Sequence, residues 1–388
     1  MQTSLLTLGS LFLRLGVTAF GGPVVHIAMM QDEVVRRRGW LTEAQFLDLQ
    51  SAANLIPGPN STELAIHIGW VQRRWAGLIV AGTAFIVPAT IITALVGWFY
   101  VRFGELPALQ WALYGVKPVV LAVVVQAIVQ LAPKAAPSGW LRGLAVVALV
   151  LAAVGVDELP ILFGAGIVAS IVASFGASTV AAPKQRTPGT SVDTRALAPL
   201  LPLAAGAAAH SSVGLPALFG IFFKIGSVLF GSGYVLLAFL RADLVERLGW
   251  LTEAQLIDAV SVGQVTPGPV FTTATFIGFV LGGWPGAWVA TAGIFLPAFI
   301  FVALSGPLVP RLRASKRAGA FLDGVNVASL ALMVHVTFQL TRAALIDVPT
   351  VALATLSAWL LIRYKLNATW LIAIGLIVGW GLHAAGLA

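Results

Sequence analysis

The sequence predicts an all-α polytopic membrane protein of about ten transmembrane helices, arranged as two inverted repeats that each carry a re-entrant helical hairpin. Three observations predict it: apolar runs long enough to cross a bilayer, a unit that occurs twice along the chain, and a one-sided distribution of lysine and arginine. Apolar residues make up 59% and charged residues 10% of the 388 residues, and the mean hydropathy is +0.94. Soluble domains hold about 45–50% and about 25% of these classes. An ordinary soluble protein and a disordered chain are both excluded. The apolar runs are continuous rather than alternating, which excludes an outer-membrane barrel.

The net charge of +8 fits the basic bias of cytoplasmic loops better than a nucleic-acid partner. The chain has no cysteine, which excludes disulfides and thiolate metal sites. The first apolar stretch, Leu5 to Met30, has neither a basic leader nor a small-residue cleavage pattern. It is expected to remain in the mature protein.

Gly39 opens the stretch GWLTEAQFLD and Gly249 opens GWLTEAQLID, an offset of 210. The same offset pairs Arg14 with Lys224, Gly16 with Gly226, Phe20-Gly21 with Phe230-Gly231, and Pro57-Gly58-Pro59 with Pro267-Gly268-Pro269. After one deleted residue the offset is 209, and it pairs Ile68-Gly69 with Ile277-Gly278, Pro88 with Pro297, Gly115-Val116 with Gly324-Val325, and Gln130 with Gln339. The expected organisation is a first unit over 1–181, a polar linker over 182–196 (APKQRTPGTSVDTRA), and a second unit over 197–388. The linker's prolines, glycine, serine and threonines make it flexible.

Spans are expected near 5–30, 76–101, 108–131, 141–157 and 160–181, and again near 213–240, 285–308, 321–340, 350–364 and 368–385. Between the first two spans of each half, an amphipathic helix follows Trp40 or Trp250. It opens on a capping box, Thr42…Gln45 or Thr252…Gln255. Pro-Gly-Pro comes next, then a short apolar helix ending near Gly69 or Gly278. This stretch reads as a re-entrant hairpin, because proline and glycine are tolerated at membrane depth only where protein or a watery cavity satisfies the freed backbone. Leu197–Ala209 is apolar but only about 13 residues long, which is short for a span; a crossing there would make the two halves parallel. It is expected at the interface or as an extension of the next helix.

Orientation follows from the 23 basic residues. With the second half inverted, 16 of them fall on one side, including Arg36–Arg38, the linker, and Arg311–Arg317. Only Arg102, Arg241, Arg247 and Arg342 fall on the other, while Arg14, Lys117 and Lys224 lie inside spans. The positive-inside bias then makes the linker cytoplasmic. An inverted pair of repeats is the architecture of secondary transporters, since it provides two conformations of similar energy, each open to one side. No phosphate-binding loop, HExxH or GxSxG motif occurs, so no enzymatic activity, cofactor or metal is expected.

Phe20-Gly21-Gly22-Pro23, the paired GWLTEAQ segments and the Pro-Gly-Pro after each resemble the chromate ion transporter family, in its two-domain form, over nearly the whole chain. The second glycine-rich segment, Phe230-Gly231-Ser232-Gly233, departs by lacking the proline. The resemblance implies a multi-pass protein of the bacterial inner membrane that exports chromate, with sulfate as a related ion. Two alternatives stay open: an anion channel or facilitator, and a non-transporting membrane scaffold. The expected partners are the oxyanion and the lipid bilayer, with no nucleic acid. Self-association is left open.

Candidate substrate-binding residues follow from charge and backbone. Arg14 and Lys224 are equivalent basic residues within the first span of each half, and a basic residue there costs about 2.5–3.5 kcal/mol on insertion scales. Both offer a cation to an anion, or they snorkel to the nearer interface. Lys117, beside Pro118 at mid-span, faces substrate or acts in gating, or it pairs with a buried carboxylate or with carbonyls freed by Pro118. Gly21, Gly22, Gly231, Ser232 and Gly233 let a helix unwind, or are close-packing sites. Pro57, Gly58, Pro59 and Pro267, Gly268, Pro269 each end one helix and start another. The new helix starts, Asn60-Ser61-Thr62 and Phe271-Thr272-Thr273, offer unpaired N–H groups, a partial positive charge and hydroxyls that suit an oxyanion. They are otherwise tight corners with hydroxyls bonded back to their own helices. Glu63 and His67, four residues apart, form a proton relay, or Asn60…Glu63 caps a helix.

Overall fold

The breaks in the apolar sequence set the helices. Helix α1 (Leu5–Thr18) starts at Ser4, whose hydroxyl accepts the Thr7 N–H at 3.0 Å. It stops at Ala19, whose backbone is extended (φ −83°, ψ 93°), just ahead of Pro23, whose ring cannot continue a helix. Helix α2 (Pro23–Gln31) begins on that proline and runs into a π-helical turn at Asp32–Arg37. Then come α3 (Glu43–Ala53), α4 (Asn60–Phe103), α5 (Pro107–Ala135), α6 (Gly139–Ala153) and α7 (Glu158–Phe175). The same series recurs as α8 (Leu215–Val228), α9 (Leu236–Leu240) with its π-helical turn Arg241–Arg247, α10 (Glu253–Val265), α11 (Thr273–Ser305), α12 (Lys316–Ala344), α13 (Val348–Tyr364) and α14 (Ala368–Ala384). No strand occurs among the described residues.

The structure, a computed structural model, describes residues 3–19, 23–103, 107–175, 213–230, 235–305, 316–364, 366 and 368–384. The linker at 182–196, the stretch Leu197–Ala209, and the candidates Gly21, Gly22, Gly231, Ser232 and Gly233 lie outside them.

Among the described residues, four helices are long and apolar enough to cross a membrane: Asn60–Phe103, Tyr114–Pro133, Val270–Ser305 and Gly319–Arg342. Large apolar side chains such as Trp75, Val146, Ile167, Trp359 and Ile377 are exposed on the surface, which suits lipid rather than water. The protein is a polytopic, multi-pass membrane protein. The continuous spans expected at 5–30 and 213–240 are a correction. Each is broken at the end of its first helix, at Ala19 and at Leu229 (φ −80°, ψ 109°).

Both capping boxes form, with Gln45 and Gln255 accepting the backbone N–H of Thr42 and Thr252 at 2.9 Å. After Pro-Gly-Pro, α4 and α11 are hairpins rather than straight rods. The chain leaves helical geometry at Arg73-Arg74 and at Gly282-Gly283 with nearly the same backbone angles. Gly69 then packs on the backbone of Gly77, and Gly278 on that of Gly286. Arg74 holds φ +51°, where the second copy uses Gly283 at φ +60°, a position that costs a non-glycine residue energy. Arg74 also stacks over Trp70 at 5.7 Å.

The two halves interlock. Leu78 clusters with Ala298 and Val302, and Ala94 with Ala287. The equivalent outer arms of α4 and α11 therefore run antiparallel. Helices α6 and α7 pack on α12 of the other half, while α13 and α14 pack on α5. The contacts are reciprocal: Gly115 lies against Gly375 and Gly379, and its counterpart Gly324 against Ala165 and Ala169. Each half thus lends its last two helices to the long helix of the other.

Close backbone approach at these glycines leaves no room for a β-carbon. Gly115→Ala and Gly324→Ala are each expected to destabilise the fold by about 1–3 kcal/mol through overpacking. Gly143→Ala, on an open helix surface, is expected to be neutral or stabilising by up to about 1 kcal/mol. Loss of monodisperse protein after a heating series in detergent measures all three.

Candidate functional site

The centre of the molecule is built by the two Pro-Gly-Pro turns. A proline ends α3's connection, the glycine makes the reversal (φ +135° at Gly58, +89° at Gly268), and the second proline starts the hairpin. The Gly58 N–H donates to the carbonyl of Leu229 at 2.7 Å, and the Gly268 N–H donates to the carbonyl of Ala19 at 3.0 Å. Each turn is thus bonded to the end of the first helix of the opposite half. Those two carbonyls are ones that α1 and α8 free by stopping early. Ala19 accepts a second bond, from His26 Nε2 at 3.0 Å. With Nε2 donating, Nδ1 of the neutral ring accepts from the Ser61 hydroxyl at 3.3 Å. His26 therefore ties the end of α1 to the start of α4.

The two helix starts differ. At the first, the N–H groups of Thr62 and Glu63 donate to the Pro59 carbonyl at 2.7 and 3.0 Å, and Asn60 donates to Asn54 at 2.8 Å. Thr62 is fully buried and its hydroxyl has no hydrogen-bond partner among the described residues. Glu63 and His67 are also buried. Neither carboxylate oxygen of Glu63 is partnered among the described residues, so it caps nothing, and His67 Nε2 is unpartnered as well. At the second start, a 3₁₀ turn (Val270–Thr272) stands where the repeat has lost its residue. Thr272 donates to the Pro269 carbonyl at 2.9 Å and Thr273 to the Val270 carbonyl at 2.8 Å. These two hydroxyls are bonded back to their own turn, as the structural alternative predicted. Thr93 of the first half donates to Thr272 at 3.3 Å.

The three basic residues inside apolar segments do not meet at the turns. Each has a carboxylate partner. Arg14 pairs with Glu33 at 2.5 Å, and Arg37 and Arg38 join the same carboxylate. Lys224 pairs with both oxygens of Asp243 at 2.9 Å, and Arg247 joins it at 2.8 Å. Lys117 pairs with Asp258 at 3.1 Å, and Tyr100 donates to that same carboxylate at 2.9 Å. Snorkelling alone does not describe Arg14 or Lys224, and the buried-carboxylate alternative for Lys117 holds. Lys224, Asp243 and Arg247 line a cavity of about 570 Å³ together with Glu158, Arg241, His335 and Gln339.

Sequence reasoning missed His26, Glu33, Asp243 and Asp258. For Glu33 and Asp243 a signal existed: the 210 offset pairs them, and it pairs Arg37 with Arg247. Asp258 lies in the repeated segment itself, opposite Asp48. His26 has Leu236 in the equivalent place, and nothing in the sequence marked it.

The family model described as Chromate transporter matches the chain twice, over residues 6–172 and 216–380. The chain is 35% identical over 373 residues to the chromate transport protein of Cupriavidus metallidurans, covering 95% of this chain and 90% of that one. It is 32% identical to a probable chromate transport protein of Synechococcus elongatus, over 97% and 95% of the two chains. It is 31% identical to the chromate transport protein of Pseudomonas aeruginosa, over 95% and 90%. No solved structure matches it. The double match over both halves of the described fold, with relatives that align over 95–97% of its length, places this chain in the chromate transporter family.

Proposed function

We propose that the protein is a secondary transporter that exports chromate, or a related oxyanion such as sulfate, across the inner membrane by alternating access between two inverted repeats. The carrying observation is the reciprocal bonding of each Pro-Gly-Pro turn to the opposite half, between equivalent long apolar arms that run antiparallel. A two-fold axis relating antiparallel spanning helices lies in the membrane plane, which is the inverted arrangement. The units are 1–181 and 197–388 with a cytoplasmic linker at 182–196. The inner arm of α4 before Arg73 is 13 residues, about 20 Å of helix, against about 30 Å of hydrocarbon. It therefore enters and returns, and its Pro-Gly-Pro end lies at mid-membrane.

The oxyanion binds between the turns, where a helix start and buried hydroxyls face the joint of the halves. The free donor there is Thr62 rather than Thr272 or Thr273. The flanking Arg14 and Lys224 clusters stand one toward each entrance, and the cavity at Lys224 is the approach on the second half's side. A dianion leaving a negative-inside cell gains about 4.6 kcal/mol per ~100 mV, so the membrane potential suffices to drive export.

Three outcomes are expected. Reporter fusions at residues 190 and 314 both read cytoplasmic, and a periplasmic signal at 314 sinks the inverted arrangement. Thr62→Val weakens apparent chromate affinity about tenfold or more, because a hydrogen bond to a charged group contributes about 1.5–3 kcal/mol, whereas Thr272→Val changes it little. Equal affinities of both variants and the wild type in a proteoliposome concentration series move the site away from the helix start. That series also distinguishes a saturating carrier with counterflow from a channel. Lys224→Ala leaves Asp243 paired with Arg247, and Lys117→Ala leaves Asp258 with Tyr100, so both variants insert. Transport falls several-fold in each; normal flux in both at matched expression removes these lysines from the path.

A further inference from the structure

An anion site at the centre does not account for Glu63. It lies on the first turn of α4, fully buried, with neither oxygen partnered among the described residues. A β-carbon on Gly58 would collide with its Oε1 and would touch Ala298 of the other half. Glu63 therefore sits at the bonded turn, where the two halves meet. Among the described residues no cation pairs with it: Arg73 and Arg74 lie at the far end of the inner arm, where Arg73 donates to the Thr3 carbonyl and Arg74 stacks over Trp70, and Arg102 lies at the end of α4. Helix α11 and the 3₁₀ turn before it carry no titratable side chain. On α1 the only charge is Arg14, paired with Glu33. On α2 the only such group is His26, hydrogen-bonded to Ala19 and Ser61. On α3, Glu43 and Asp48 are exposed. On α10, Glu253 pairs with Arg241, and Asp258 pairs with Lys117. On α4 itself His67 follows one turn later, buried.

An ionised carboxylate cannot rest unpaired in such a place, because its desolvation cost is far larger than any single contact returns. It also cannot stand beside a dianion in a low dielectric. We infer that Glu63 binds the proton that accompanies the oxyanion, so that proton and oxyanion occupy the centre together and cross together. The proton comes from water on the loading side onto a Glu63 oxygen, and it leaves to water on the releasing side when the oxyanion goes. The cotransported pair carries one net negative charge, so the potential still favours export, with half the electrical drive of the bare dianion. The second copy has Thr273 at the equivalent offset, so one proton site serves the whole molecule. The inference rests on the reading of the turns as the oxyanion site.

The test is binding of chromate and of sulfate, which stays a dianion throughout, to the purified full-length protein over a pH series. Proton uptake is followed in weak buffer. One linked proton makes the apparent Kd rise tenfold per pH unit above the range where the group titrates, with about one proton taken up per sulfate bound. Glu63→Gln keeps a neutral hydrogen-bonding side chain and is expected to bind sulfate with a flat pH profile and no proton uptake. Glu63→Thr, the second copy's own residue, is the substitute if Gln fails to insert, and it is expected to be flat as well. The inference is overturned if wild type binds without proton uptake, if either variant keeps the wild-type slope, or if affinity follows sodium at fixed pH instead. Absence of binding of either oxyanion by wild type at any pH overturns the site reading and this inference with it.

Discussion

Two hydrogen bonds organise this molecule, from Gly58 to the Leu229 carbonyl and from Gly268 to the Ala19 carbonyl. A helix that stops where it is buried, as at Ala19 and Leu229, frees carbonyls that have no water to turn to, and a glycine at a buried sharp turn frees an N–H in the same way. Here each deficiency satisfies the other, across the two halves. Neither half is complete alone, since each leaves a helix end and a turn that only its partner closes. The exchange of helices follows the same logic. Helices α6 and α7 lean on α12, and α13 and α14 lean on α5, through glycine and alanine contacts that allow backbones to touch. In a bilayer, where the hydrophobic effect does not drive helices together, such close packing and hydrogen bonding supply the association.

Symmetry governs the ends of the molecule and fails at its centre. The ion-pair clusters repeat faithfully: a basic residue on the first helix, a carboxylate on the π-helical turn, and an arginine one turn later, as Arg14, Glu33, Arg37 and as Lys224, Asp243, Arg247. Each carboxylate there offsets the cost of holding a cation in an apolar segment. The centre is different. The first copy brings His26, Ser61, Thr62, Glu63 and His67, whereas the second brings a 3₁₀ turn and threonines bonded to their own backbone.

Much of the fold was legible in the sequence, because the bilayer and the duplication both write themselves in residue order. Composition established the membrane class, the 210 offset established the repeat, and the Thr42 and Thr252 capping boxes and the Pro-Gly-Pro turns marked their own local geometry. Those features depend on neighbours along the chain. The breaks at Ala19 and Leu229 were not legible, since a run of apolar residues reads alike whether or not a distant glycine accepts its last carbonyl. The partners of Arg14, Lys117 and Lys224 were hidden for a related reason. The Lys117–Asp258 pair joins residues far apart in sequence and from opposite halves, and charge alone does not name a partner. The sequence also marked Ser61, Thr62, Thr272 and Thr273 as equal candidates. Only tertiary structure separated them, because a hydroxyl's availability depends on whether its own turn or a buried histidine has already taken it. Residue order determined which groups this protein possesses and where its helices turn. Packing across the two halves decided which of those groups are left free to act, since a buried hydroxyl or carboxylate is available only where no neighbour already holds it.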